Sequence, residues 1–329
     1  MARSDLLVSL VKAGSSGDVA RARSVTEAII AEERAKRHNV LAERLSEAMH
    51  VNGGGPGAVK FTGHGQRHRE FLLELTPRRR IEELVLSDLA RRACDELIDE
   101  QHGAALLRAH SLEPRHRVLL VGPPGNGKTS LAEAIAEALA VPFFVVRYEA
   151  MIGSFLGETA ARLKRVFDYA RTTPCVLFFD EFDAVGKERG DVHETGEIKR
   201  VVTSLLMQVD DLPSYTVVVA ATNHAELLDR AAWRRFQVRL LLNPPTRGDL
   251  TTYIARFAAT LDEPLGRTPD IIAKNLGAIS YAEAEEFCRD IRRRSTLAMG
   301  EQPLGTIVAD RLKLWAEQSR ASDTTQRDI

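Results

Sequence analysis

The spacing of apolar residues changes several times along the chain. Up to about residue 50, Val25, Ala28, Ile29, Leu41, Leu45, Ala48 and Met49 recur mostly three or four positions apart, which predicts helix. The segment from Gly14 to Gly17 separates a short helix, over 4–13, from a longer one. The middle of the longer helix, Glu32 to His38, is polar nearly all round, the pattern of a helix that bridges solvent or packs on a partner. Asn52-Gly53-Gly54-Gly55-Pro56-Gly57 reads as a linker. Lys60 to Arg80 follows no clear period, and a helix is expected from near Arg80 towards Gln101.

From Arg117 the pattern becomes one of short, continuous apolar runs at 117–121, 143–146, 175–179, 217–221 and 238–242, separated by helical periods over 131–140, 160–170 and 197–208. Strands with no polar alternation are covered on both faces, and their alternation with helices predicts an α/β, three-layer αβα domain around a parallel five-stranded sheet. After Pro244-Pro245 the strand runs cease, and four helices are expected, over 247–261, 269–276, 281–298 and 304–319. Thr268 before Pro269 is a cap followed by a proline at the first helical position. Ser280 with Glu283 three residues on is a capping box. The expected organisation is therefore a helical N-terminal region (1–51) suited to docking a partner or substrate, a linker and ambiguous segment (52–79), the αβα domain (80–245), a small all-helical domain (246–320) and a frayed polar tail (321–329).

Charge and cysteine usage narrow the class. Lys plus Arg number 45 against 46 Asp plus Glu, a net charge of −1, which excludes a basic nucleic-acid coat or an acidic solvating tail over the whole chain. Cys94, Cys175 and Cys288 are too far apart for a disulfide framework or a zinc spacing and read as reduced packing residues. No stretch has the ~18 apolar residues of a spanning helix, and the first residues lack the apolar core of a secretory signal, so a cytoplasmic location without membrane contact is expected.

The chemistry concentrates at the ends of the strand runs. Gly122-Pro123-Pro124-Gly125-Asn126-Gly127-Lys128-Thr129 fits G-x-x-x-x-G-K-[ST], directly after a strand and before a helix. Its glycines let backbone N–H groups wrap a phosphate, and the helix start adds positive potential. Lys128 would reach the β- and γ-phosphates, and the Thr129 hydroxyl would hold Mg²⁺. The run 175–179 ends in Asp180 and Glu181, carboxylates at a strand's C-terminal end, where open α/β sheets bind ligands. Asp180 is expected to hold the Mg²⁺ and Glu181 to polarise the attacking water, while Asp183 reads as loop polarity. Asn223, after the next strand, could orient that water. Arg234 and Arg235 follow a short helix-like segment, and an arginine supplied in trans can stabilise charge on a transferring phosphoryl group.

With GPPGNGKT, VLFFDEFD, AATN, AAWRRF and a helical C-terminal region in this order, the chain from about 80 to 318 resembles an AAA+ ATPase, of the AAA clade proper. By that resemblance Gly122, Pro123, Pro124, Gly125, Asn126, Gly127, Lys128, Thr129 and Ser130 bind ATP with Asp180. Thr129 and Asp180 hold Mg²⁺, Glu181 and Asn223 serve hydrolysis, Arg234 and Arg235 are arginine-finger candidates, and the region from about 246 is a lid. Of the two arginines, Arg235, directly before Phe236, is the favoured finger. Ser154-Phe155-Leu156-Gly157-Glu158 resembles an aromatic pore loop, in which Phe155 and Leu156 would grip polypeptide. The family implies an ATP-promoted homo-oligomer, usually a hexamer, acting on a protein substrate. The chain departs from the family pattern in its shortened finger segment, in Gln237 where many members carry an acid, and in a lid segment, 279–284, that lacks the family's glycine, has Glu283 near the aspartate position and shows no sensor 2 arginine. Two other readings stand beside remodelling. One is a nucleotide switch that recruits a separately encoded effector, such as the subtilisin-like protease that similar stand-alone ATPases accompany in anti-phage defence. The other is a nucleic-acid motor, suggested only by the basic runs 76–80 and 289–294.

Overall fold

The computed structural model describes residues 25, 26, 28, 71–147, 156–185, 204–228 and 230–327. The chain divides into two units, 1–63 and 64–329. In the first, Val25, Thr26 and Ala28 are helical. The remainder of the expected N-terminal helices and the glycine linker lie outside the described residues.

In the second unit, β1 (Leu72–Leu75), β2 (Arg117–Val121), β3 (Phe143–Val146), β4 (Cys175–Phe179), β5 (Thr216–Thr222) and β6 (Val238–Leu241) form one sheet in the order β1-β3-β4-β5-β2-β6. The five expected strands are all present and mutually parallel. The sheet is wider than expected by β1, which pairs antiparallel with β3, Leu72 opposite Val146 and Leu75 opposite Phe143. Only Leu72 of this strand is buried, so backbone pairing, rather than an apolar face, holds it in place.

Successive side chains of the parallel strands enter opposite cores, as the pleat requires. Leu119, Phe144, Phe179 and Val218 pack against α4 (Leu156–Ala170) through Leu163 and Phe167, and against α5 (204–210) through Leu205 and Val209. On the other face Val118, Leu120, Phe178 and Val219 meet α1 (Asp88–His102) at Cys94 and Leu97, and α3 (Lys128–Ala138) at Leu131 and Ile135. Two short helices, α2 (Ala104–Ala109) and α6 (Arg230–Arg235), sit in the connections.

The helix expected from Arg80 does not form there. Ile81–Glu83 makes one 3-10 turn, Leu84 is extended, and α1 starts only after Ser87, whose hydroxyl accepts from the Ala90 N–H. Ile81 is buried in the second core and Leu84 and Leu86 pack against it, so the segment is drawn out along the domain instead of coiling.

The C-terminal helices α7 (Arg247–Ala258), α8 (Pro269–Leu276), α9 (Tyr281–Ala298) and α10 (Leu304–Arg327) enclose a third core built on Leu250, Ile254, Ile272, Phe287, Ile291 and Val308. Thr246, Thr268 and Ser280 cap the first three through their side-chain oxygens. The expected fraying of 321–329 is not observed as far as Arg327: after Gly305 no glycine or proline interrupts the helix.

Candidate nucleotide site

The C-terminal ends of β2, β4 and β5 converge on one cleft of about 380 Å³. At the end of β2 the chain turns through Gly122, whose N–H donates to the Thr222 carbonyl at 3.2 Å. A Cβ at Gly122 would lie 2.1 Å from the carbonyl oxygen of Leu242, so only glycine fits between the strands. At Gly125 a Cβ would come within 2.9 Å of Ser280 Oγ. There the lid rests on the loop, and the Ala282 N–H donates to the Gly125 carbonyl at 2.9 Å.

Lys128 opens α3 and is buried. Its Nζ donates to the carbonyls of Gly122 (2.7 Å) and Pro123 (2.9 Å) and to Asn223 Oδ1 (2.6 Å), which uses all three ammonium protons. Burial pulls its pKa below the ordinary lysine value, while the fields of Asp180 and Asp183 oppose that shift. Thr129 Oγ1 stands 3.5 Å from Asp180 Oδ2, and Asp180 Oδ1 accepts from the Glu181 N–H at 2.9 Å. Glu181 is exposed at the cleft with a left-handed backbone, φ +46°, a conformation that non-glycine residues adopt only where their surroundings enforce it.

The donor set suits a magnesium–phosphate ligand. A hydroxyl and a carboxylate, both hard oxygen donors, face each other across the cleft. Asn126, inside the loop, is buried with its Oδ1 unpaired. Among the described residues no group of three or more His, Cys, Asp or Glu side chains could cage a metal, so an ion here would complete its shell with phosphate oxygens and water.

The other expected residues are placed less evenly. Arg235 is held within its own chain: its Nε donates to Asp210 Oδ2 at 2.7 Å, and Arg117 takes the other oxygen at 2.6 Å. Arg234, one position earlier on α6, is exposed, with no ion pair among the described residues. Phe155 lies outside the described residues, and Leu156 begins α4.

Several residues that shape the site carry no signal in the sequence pattern. Asp183 is not loop polarity; it is buried, and its Oδ1 accepts from the Thr222 hydroxyl at 2.8 Å. Away from the cleft, at the start of β2, Gln237 accepts from the backbone N–H groups of His116 (2.9 Å) and Arg117 (3.1 Å), a task that needs an oxygen but no charge. The lid contributes Tyr253, Tyr281 and Glu285 to the cleft, and Arg79 closes one side by pairing with Glu285 at 2.8 Å.

A glycine-rich loop after β2, a buried lysine at the start of α3 and paired acids at the end of β4 define a nucleoside-triphosphate-hydrolysing class. Over residues 118–244 the chain matches the family described as ATPase family associated with various cellular activities (AAA). An AAA family ATPase of Sinorhizobium fredii, y4kL, is 36% identical over 336 residues, covering 97% of this chain and 98% of that relative. This chain belongs to the AAA ATPase family, and it is an ATP hydrolase. It is also 34% identical over 200 residues to ATP-dependent zinc metalloprotease FtsH 1 of Methylacidiphilum infernorum, covering 59% of this chain and 31% of that protein. With the Cell division cycle protein 48 homolog of Archaeoglobus fulgidus the identity is 33% over 193 residues, 56% of this chain and 26% of that protein. The chain thus spans about a third or less of these two longer relatives.

Proposed function

We propose that the chain is a Mg²⁺-dependent, ring-forming AAA ATPase that uses ATP hydrolysis to remodel or unfold protein. The observation that carries the reading is the convergence of Lys128, Asp180, Glu181 and Asn223 on one cleft, with Lys128 Nζ bonded to Asn223 Oδ1 at 2.6 Å. The residues of the Gly122–Ser130 loop cradle the phosphates, and Lys128 offers its charge to the β- and γ-oxygens in exchange for its present carbonyl partners. Thr129 and Asp180 would hold a magnesium ion, which when bound would supply neutralising charge at the phosphate oxygens. Glu181 accepts a proton from the water that attacks the γ-phosphorus, and Asn223 orients that water. An arginine from a neighbouring copy completes the charge balance. Arg234 suits this role because it is exposed, whereas Arg235 is engaged by Asp210. Similarity to an FtsH protease and a Cdc48 homologue supports a protein substrate, gripped by Phe155 and Leu156. The N-terminal region (1–51) serves for docking, 80–245 as the catalytic body and 246–320 as the lid.

Two variants test this reading. Glu181→Gln should bind ATP and self-associate in its presence, with turnover reduced by about 10²-fold or more. Phe155→Ala should hydrolyse ATP normally and lose ATP-driven unfolding of a tagged substrate. Unfolding at the unmodified rate by Phe155→Ala would exclude threading and leave a nucleotide switch acting on a separate effector.

A further inference from the structure

Asp183 follows Glu181 by two residues, in the 3-10 turn Phe182–Val185, and only 4% of it is exposed. A carboxylate is removed from water only where something holds it. Here the holder is the hydroxyl of Thr222, the fully buried last residue of β5, which donates to Asp183 Oδ1 at 2.8 Å. The same hydroxyl oxygen accepts from the His224 N–H at 3.0 Å. Thr222 and His224 flank Asn223, so the pair of bonds fixes the turn that presents the Asn223 amide, whose Oδ1 accepts from Lys128. The other side of the segment is pinned as well. The Phe182 ring stands edge-on to Phe179 and to Phe236, with centroids 6.2 and 5.6 Å apart. The four residues Asp180–Asp183 therefore carry a magnesium ligand, the proposed base, an aromatic anchor and a grip on the neighbouring strand's turn.

We propose that Asp183 is a positioning residue for hydrolysis. By holding Thr222 it sets Asn223 against Glu181, so that the group orienting the water and the group accepting its proton keep a fixed separation. This rests on the reading of Asn223 as the water-orienting amide. In the structure the Asp183 side chain bonds the Thr222 hydroxyl, and through Thr222 it acts on Asn223. What Thr222 needs from it is an acceptor oxygen, which asparagine can also provide.

Steady-state ATPase kinetics on the full chain separate this role from a plain structural or electrostatic one. Asp183→Ala and Thr222→Val should each lower kcat about tenfold while KM for ATP stays within about twofold, and Asp183→Asn should restore most of the rate. Combined with Asn223→Ala, neither should lower kcat further, because all act through one group. Thr222→Val keeps the buried branched shape and carries the test by itself if Asp183→Ala fails to fold. Full turnover in Asp183→Ala beside a slow Asn223→Ala overturns the proposal alone, as do multiplicative losses in the double variants. An Asp183→Asn chain as slow as Asp183→Ala, with Thr222→Val unimpaired, assigns the effect to charge and overturns it too. Full turnover in Asn223→Ala removes the reading of Asn223 and the proposal with it.

Discussion

Cys94, Cys175 and Cys288 are buried free thiols, and burial pushes each pKa up to about 12 from an ordinary 9.0. Tyr253 and Tyr281 shift the same way, to about 12 from 10.0. These groups keep their protons in the fold at pH values where the unfolded chain releases them. Their contribution to stability is complete below about pH 9 and is lost as pH rises towards 12. The melting temperature should therefore fall steeply over that interval. At pH 8 a thiol reagent should leave the native chain unlabelled and modify all three cysteines once it is unfolded. A cysteine labelled at once in the folded protein would contradict the packing. The sequence reading of these cysteines as packing residues agrees with their burial. Asp183 was not: its partner Thr222 is 39 residues away, and a carboxylate after a strand looks the same in sequence whether it faces water or a hydroxyl. The Arg235–Asp210 pair is hidden for the same reason, across 25 residues.

At the scale of elements, β2 to β6 and α7 to α9 could be read in advance because their signals are local: continuous apolar runs, and a cap residue at each helix start. β1 could not, since Leu73 and Leu75 are 45% and 39% exposed and the strand exists through pairing with β3, 71 residues further on. The lid's seat on the phosphate loop is likewise a tertiary fact. α9 meets the loop through Ala282 and Gly125, and Arg79 Nη2 reaches Glu285 Oε1 from the segment before α1. Both partners of that ion pair are about one-third exposed, where such pairs contribute about 0–1 kcal/mol. Arg79→Ala should loosen the lid wall of the cleft and weaken nucleotide binding by about two- to fivefold in titration calorimetry. Arg293→Ala, which breaks the exposed pair with Glu286 away from the cleft, is the control and should bind nucleotide as the parent does. Equal affinities in all three proteins would mean that the Arg79–Glu285 contact does not govern closure.

For the whole molecule, the decisive question is whether each cleft is completed by another copy. In one chain, Lys128, Thr129, Asp180, Glu181 and Asn223 occupy the cleft, whereas Arg234 and Arg235 do not line it. Arg235 is moreover committed to Asp210, which leaves Arg234, of the two finger candidates, exposed and without an ion pair among the described residues. If Arg234 acts in trans, Arg234→Ala and Glu181→Gln remove different halves of the same site. Each protein alone should be nearly inactive. Mixed in equal amounts and allowed to assemble with ATP, they place an intact Glu181 from one chain opposite an intact Arg234 from the other. Random assembly gives that pairing at about one site in four, so turnover should recover to at most about a quarter of the parent value in a head-to-tail ring. Activity that appears only on mixing would require a shared site, because no single chain in the mixture carries both groups. A mixture as inactive as its components would place Arg234 within its own cleft or outside the reaction. An Arg234→Ala chain active by itself would return the role to Arg235, which would then have to leave Asp210 when a neighbouring copy docks.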